Sequence, residues 1–212
     1  MSMTRFRTAL LVVIVLVLRS GVVSAQNTDE KPKKKLEFPS PDGRFAFRYA
    51  GSEAEDEKQT YELIEKASKK AIKTVAESDP DMGPSARFVM KQVQWRSDSK
   101  AFALNAFLWK RGYSLFVFVR EGSTFREIEL PQLVIDIPDT AKKGKNFDHI
   151  VELDSTTAKK WQKDGSLLVE IETIVDGEGG SLSANRTVVL GFDNSAKAKI
   201  LKSTVKFALN KE

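Results

Sequence analysis

Three times in this chain a polar turn centred on aspartate runs straight into an apolar stretch: SPDGRFAF at 40–47, WRSDSKAFAL at 95–104 and WQKDGSLLVEI at 161–171. Aligned on the aspartates, the copies read Ser40-Pro41-Asp42-Gly43, Arg96-Ser97-Asp98-Ser99 and Gln162-Lys163-Asp164-Gly165, spaced by 56 and then 66 residues. An aspartate can bond its own backbone two residues on, and glycine takes a positive φ freely, so these residue types build tight turns between strands. Trp95 and Trp161 stand three places before their aspartates, and Pro39 takes that place in the first copy. A tryptophan there can cover the apolar face of the next strand, contributing about 1.5 to 3 kcal/mol as a buried large side chain does.

Between these anchors the residues alternate as strands do. RFAFRYA (44–50) puts Phe45, Phe47 and Tyr49 on one side of an extended chain. GSEAEDEKQT reads as a solvated loop. YELIEK and KAIKTVAE follow as a strand pair, with Tyr61 and Leu63 alternating in one and Ala71, Lys73 and Val75 in the other; Glu62, Lys66, Lys69 and Lys73 would also suit a helix. SDPDMGPSAR (78–87) is a loop by its turn residues. FVMKQVQW, KAFALNAFLW, SLFVFVR and TFREIEL then predict a meander of four strands. The second is apolar on both faces, Phe102, Leu104, Ala106 and Leu108 against Ala101, Ala103, Phe107 and Trp109, which predicts a central strand covered above and below. From Pro131 to about Thr157 the pattern blurs into an irregular insertion with one helical turn and one short strand, Ile150 to Leu153. Regular β structure resumes with SLLVEIETIV, where Val169, Ile171, Thr173 and Val175 face one way, then RTVVLGFD, and AKILKSTVKFAL as a last strand or pair.

The three anchors resemble the WD40-like repeats of bacterial periplasmic β-propellers of the TolB kind, whose blades carry a W-S-P-D-G-x-x-I-A-F signature. SPDGRFAF matches over eight residues; WRSDSKAFAL keeps Trp95, Asp98 and the apolar strand but lacks the proline and glycine; WQKDGSLLV keeps Trp161, Asp164 and Gly165. The resemblance implies four-stranded antiparallel blades and a binding role without catalysis. Propellers close with about four to eight blades, and this chain has material for three. The expected fold is therefore all-β and mainly antiparallel: three propeller-blade-like meanders in an open or incomplete propeller or sandwich, with at most one or two short helices. An open monomer is expected; two chains combining into six blades is the alternative.

The first residues carry Arg5 and Arg7, an apolar run from Ala9 to Leu18 and small residues at Val23-Ser24-Ala25, the plan of a secretory signal peptide cleaved before Gln26. The run falls short of the roughly 20 residues of a spanning helix, so no stable membrane insertion is expected after cleavage, an uncleaved anchor being the alternative. The expected organisation is a signal peptide at 1–25, a disordered lysine-rich linker at 26–36 and a single β-rich domain at 37–212, located in the periplasm or secreted. Charge agrees with this division. The chain has 34 basic and 29 acidic residues, but without the first 25 residues and the TDEKPKKK tail the two signs balance. The high pI thus belongs to export signal and tail and gives no support to nucleic-acid binding. With no cysteine, thiol nucleophiles, thiolate metal sites and redox chemistry are excluded.

Candidate chemistry is sparse. The one histidine, His149, has no serine in a strained Gly-x-Ser-x-Gly turn to serve. Glu170 and Glu172 share a strand face at about 6 to 7 Å, within the range of paired glycosidase carboxylates, but Leu168 and Ile174 continue that face without a third polar partner, so a solvated sheet face is the preferred reading. Glu53, Glu55, Asp56 and Glu57 lack the alternation and central glycine of a calcium loop. DGEGG (176–180) leads towards a strand, whereas phosphate-cradling loops open a helix. Asn185-Arg186-Thr187 fits a glycosylation acceptor. No catalytic, cofactor-binding or metal-binding residue is assigned. The expected function is an exported, non-enzymatic domain binding a protein or a cell-envelope polymer through loops at one end of its blades; the alternative is a cell-envelope glycan hydrolase using the Glu170 and Glu172 pair.

Overall fold

Residues whose side chains alternate between apolar and polar pair edge to edge into three sheets, each turned by one of the aspartate corners. The computed structural model describes residues 36–49, 60–77, 89–109, 112–177, 180–193 and 197–210. The expected signal peptide, the lysine tail, the acidic run Glu53, Glu55, Asp56 and Glu57, and the loop at 78–87 lie outside the described residues. Sheet A comprises β1 (Leu36–Glu37), β2 (Phe45–Tyr49), β3 (Thr60–Glu65) and β4 (Lys70–Glu77); sheet B comprises β5 (Val89–Trp95), β6 (Ala101–Trp109), β7 (Gly112–Glu121) and β8 (Thr124–Glu127). After a helical turn α1 (Asp139–Lys142), sheet C is formed by β9 (Phe147–Trp161), β10 (Leu167–Gly177), β11 (Gly180–Phe192) and β12 (Ala198–Asn210). Each sheet is a four-stranded meander in sequence order, and every ladder is antiparallel. The described residues are thus all-β apart from one short helix, an open stack of blade-like sheets and no closed barrel.

Sheet B lies between the other two, as the doubly apolar KAFALNAFLW segment predicts. Its even-numbered side chains Phe102, Leu104, Ala106 and Phe118, with Phe125, pack on Phe45, Phe47, Leu63 and Val75 of sheet A. Its odd-numbered Ala103, Leu115 and Val117 pack on Ala158, Leu167, Val169, Ile171, Val188 and Leu190 of sheet C. A pleated strand sends successive side chains to opposite faces, so one sequence serves two interfaces. The A–B interface is aromatic: Trp95 lies 4.9 Å from Phe102, 5.9 Å from Phe47 and 6.2 Å from Phe45, ring centre to ring centre. YELIEK and KAIKTVAE are the strands β3 and β4.

The corners take the form their residue types predict. Asp42, Asp98 and Asp164 each accept, through Oδ1, the backbone N–H two residues on, at 3.0, 2.9 and 3.0 Å. The next residue has positive φ in all three: Gly43 at 71°, Ser99 at 57° and Gly165 at 84°. Ser99 lacks the freedom of glycine there, but its buried Oγ accepts the backbone N–H of Asp42 at 3.0 Å and so ties the second corner to the first. The tryptophans do more than cover the following strand. Trp95 Nε1 donates to the carbonyl of Phe38 at 3.0 Å, and Trp161 Nε1 to that of Gln94 at 2.8 Å. Phe38 and Gln94 both stand four places before the aspartate of the preceding sheet, so one hydrogen bond repeats from sheet to sheet. Pro39, in the corresponding place of the first copy, is exposed.

The blurred segment from Pro131 to Thr157 differs from expectation. Its strand is not the short Ile150 to Leu153 piece but β9, fifteen residues long. The pattern hides it because β9 is the edge strand of sheet C, with polar side chains such as Thr157 and Lys159, and because its register with β10 shifts between Leu168 and Val169, which interrupts the alternation. The helical turn is α1. Residues 130–138 form neither helix nor strand, with Leu133 and Ile135 packed on the B–C core and Ile137 on a smaller cluster of Phe147, Val175 and Leu182. AKILKSTVKFAL forms the single strand β12.

Candidate functional site

One polar residue interrupts the apolar run of β6. Asn105 is 4% exposed, on the face turned to sheet C, and an amide so buried costs about 1–3 kcal/mol unless it is paired. It is paired with the edge of β9. Asn105 Oδ1 accepts the Ala158 N–H at 2.8 Å, and Nδ2 donates to the Ala158 carbonyl at 3.1 Å and to Gln92 Oε1 at 3.2 Å. Gln94 Nε2 donates to the same carbonyl at 2.8 Å. Ala158 lies beside the register shift of β9, where a bulge disrupts the ladder, and the side-chain amide takes the part of a missing neighbour strand.

This anchor stands in a cleft of about 420 Å³ lined by Gln92, Asn105, Tyr113, Thr157, Ala158 and Lys159, beside β5 and β9, the end strands of their sheets. Close backbone approach shapes one wall: a Cβ on Gly112 would lie 1.6 Å from the Asp154 carbonyl oxygen, so only glycine lets β7 begin against β9 here. Lys159 forms an ion pair with Glu170, whose strand lies next to β9. The wall therefore presents amide, phenol, hydroxyl and ammonium groups around an alanine, a set suited to orienting a polar ligand by hydrogen bonds.

The residues singled out in the sequence fall elsewhere. Glu170 and Glu172 sit on the same face of β10, Glu170 facing Thr157 and Glu172 facing Ser155 across the ladder, and neither lines the cleft. His149 lies within β9, not in an irregular loop; its side chain is outside the description. Asp176 ends the buried alternation of β10, and Asn185 and Arg186 lie within β11, with Arg186 bonded to Ser203 Oγ at 2.9 Å and to the Val134 carbonyl at 2.6 Å. Among the described residues no group of three His, Asp or Glu is placed to hold a metal ion, and no described helix is long and apolar enough to cross a membrane. Asn105 and Gln92 escape the sequence reading; the available signal was a lone asparagine inside the apolar AFALNAFLW.

The three corner aspartates serve structure, and their electrostatics follow from their bonds. The Arg96 guanidinium bonds both carboxylate oxygens of Asp98 at 2.9 Å, which holds its pKa below the ordinary aspartate value, with help from the Lys100 N–H and against slight burial. The hydroxyl and N–H of Ser166 lower that of Asp164. Burial pushes Asp42 up, but bonds with Ser40, the Arg44 N–H and Ser99 outweigh it and leave the pKa lowered. Comparison of the chain with protein-family models and with curated proteins finds no match.

Proposed function

We propose that this is an exported, non-enzymatic β-repeat domain that binds a protein or a cell-envelope ligand, and that the cleft between β5 and β9 receives it. The observation that carries the reading is the Asn105 anchor. A polar wall whose central amide is buried and fully bonded is set before the ligand arrives, and such pre-organisation lowers the cost of binding. The likeness of the corners at Asp42, Asp98 and Asp164 to TolB-type repeats supports a binding role, and the residues before Gln26 support export to the periplasm or beyond. The working form is a monomer with an open stack; a dimeric mass by light scattering together with a structure in which two chains share one ring of sheets would overturn it.

The rival, a glycan hydrolase acting through Glu170 and Glu172, has less support because Lys159 already engages Glu170 and the carboxylates lie outside the cleft. Incubating the purified protein with peptidoglycan and with chromogenic glycosides separates the two. The expected result is saturable co-sedimentation, weakened by Thr157→Arg in the cleft, without release of sugar. Absent co-sedimentation leaves a protein ligand as the reading, and turnover that disappears in Glu172→Gln would sink it.

A further inference from the structure

A second cleft, sharing no residue with the first, lies between sheets A and B at the end where the corners gather. It encloses about 300 Å³ and is lined by Arg44, Glu65, Lys70, Arg120, Ser123 and Thr124 over the edge of Phe45. Arg44 and Arg120 come from different sheets, yet their guanidinium carbons lie 5.2 and 5.4 Å from the centre of the same Phe45 ring. Phe45 is itself fixed: 2% exposed and stacked on Trp95. Both guanidinium groups therefore rest against one buried ring, whose π electrons attract each of them. Among the described residues two carboxylates lie near Arg44: Asp42, which its charge reaches, and Glu65 in the cleft wall. Glu65 lies 3.7 Å from Arg44, its side chain 37% exposed, and also accepts the Ser68 hydroxyl at 2.9 Å. Arg120 spends its Nε on the Gly122 carbonyl at 3.1 Å, which leaves its terminal nitrogens without a bonded partner among the described residues. Thr124 Oγ1 donates to the Ile72 carbonyl at 3.2 Å and fastens the two sheets beside the cleft.

From this geometry we infer that the cleft between sheets A and B binds a phosphate group, free or carried on a lipid headgroup, through Arg44, Arg120 and Lys70. Guanidinium forks meet a tetrahedral oxyanion with paired N–H bonds, and Lys70 supplies a further charge from the exposed start of β4. Topology explains why a domain of balanced charge has such a site: in a meander the β1–β2, β3–β4 and β7–β8 turns fall at one end, and they bring Arg44, Lys70 and Arg120 together from three distant places in the chain.

The test is a titration of the purified protein with inorganic phosphate at low ionic strength, followed by calorimetry, beside sedimentation with phosphatidylglycerol vesicles. Saturable binding is expected, weakened about tenfold by Arg120→Gln, the loss of one charge-assisted pair. Lys70→Glu, at an exposed position, is expected to weaken it as well and decides the matter if Arg120→Gln does not fold. Binding in the first arm identifies free phosphate, and binding in the vesicle arm alone identifies a headgroup. No saturable binding in either arm, or binding that both substitutions leave unchanged, overturns the inference.

Discussion

Sheets B and C are built alike, four antiparallel strands turned by an aspartate corner, but they meet different surroundings. Sheet B is covered on both faces, and Ala101, Phe102, Ala103, Leu104 and Ala106 of β6 are all fully buried. Sheet C buries only the face turned to sheet B. Its other face carries Glu170, Glu172, Thr187 and Lys202, and β12 is exposed almost throughout, with Leu201 at 62% and Val205 at 42%. The lesson is that a blade is not a fixed unit of stability: the number of neighbours sets the worth of each strand, and the last sheet of a stack ends it with a polar face.

The largest expected effect probes that contrast directly. Phe102→Ala removes a fully buried ring that touches Trp95, Phe47, Phe118 and Phe125 and is expected to cost about 3–5 kcal/mol in urea unfolding. Leu201→Ala on β12 is expected to stay within about 0.5 kcal/mol. Similar losses at the two sites would erase the distinction between covered and uncovered sheets.

The joint between B and C is the next place to press. Asn105→Ala leaves the Ala158 N–H without its partner, and a loss of about 1–3 kcal/mol is expected, with faster hydrogen exchange at Ala158. Unchanged exchange there would deny the amide its role as a substitute strand. Trp161→Phe keeps a ring but removes the bond to Gln94, for an expected loss of about 1 kcal/mol; no loss would mean that the repeated indole bond does not couple the sheets.

Acid sharpens the comparison with the smallest effect. An aspartate with a folded pKa below its unfolded one adds stability that is present above the unfolded value and lost as pH falls through the folded value. Asp98 is lowered by Arg96, so melting temperature is expected to fall below about pH 4, and Asp98→Asn to flatten that fall. A profile identical in Asp98→Asn and the parent protein would remove Asp98 from the account.

Some of this was legible from particular residues. The Asp-Gly and Asp-Ser corners, the central position of β6 and the inward set Val169, Ile171 and Val175 all follow from turn chemistry and a two-residue period. The length of β9 did not, because its edge position and register shift hide the alternation. Asn105 stood in plain view as the polar residue of an apolar strand, but its partner is Ala158, 53 residues away, and no local pattern names such a partner. The clefts were less legible still, since Arg44 and Arg120, like Gln92 and Lys159, become neighbours only when separate sheets stack.

By itself the sequence determined the local periodicity, the corners and hence the all-β class, because turn geometry and side-chain alternation are properties of a few adjacent residues. Only the tertiary structure decided which faces are covered, which edge an asparagine completes and which cations share a ring. Those outcomes depend on contacts between residues far apart in the chain, whose distances are set by the packing of whole sheets.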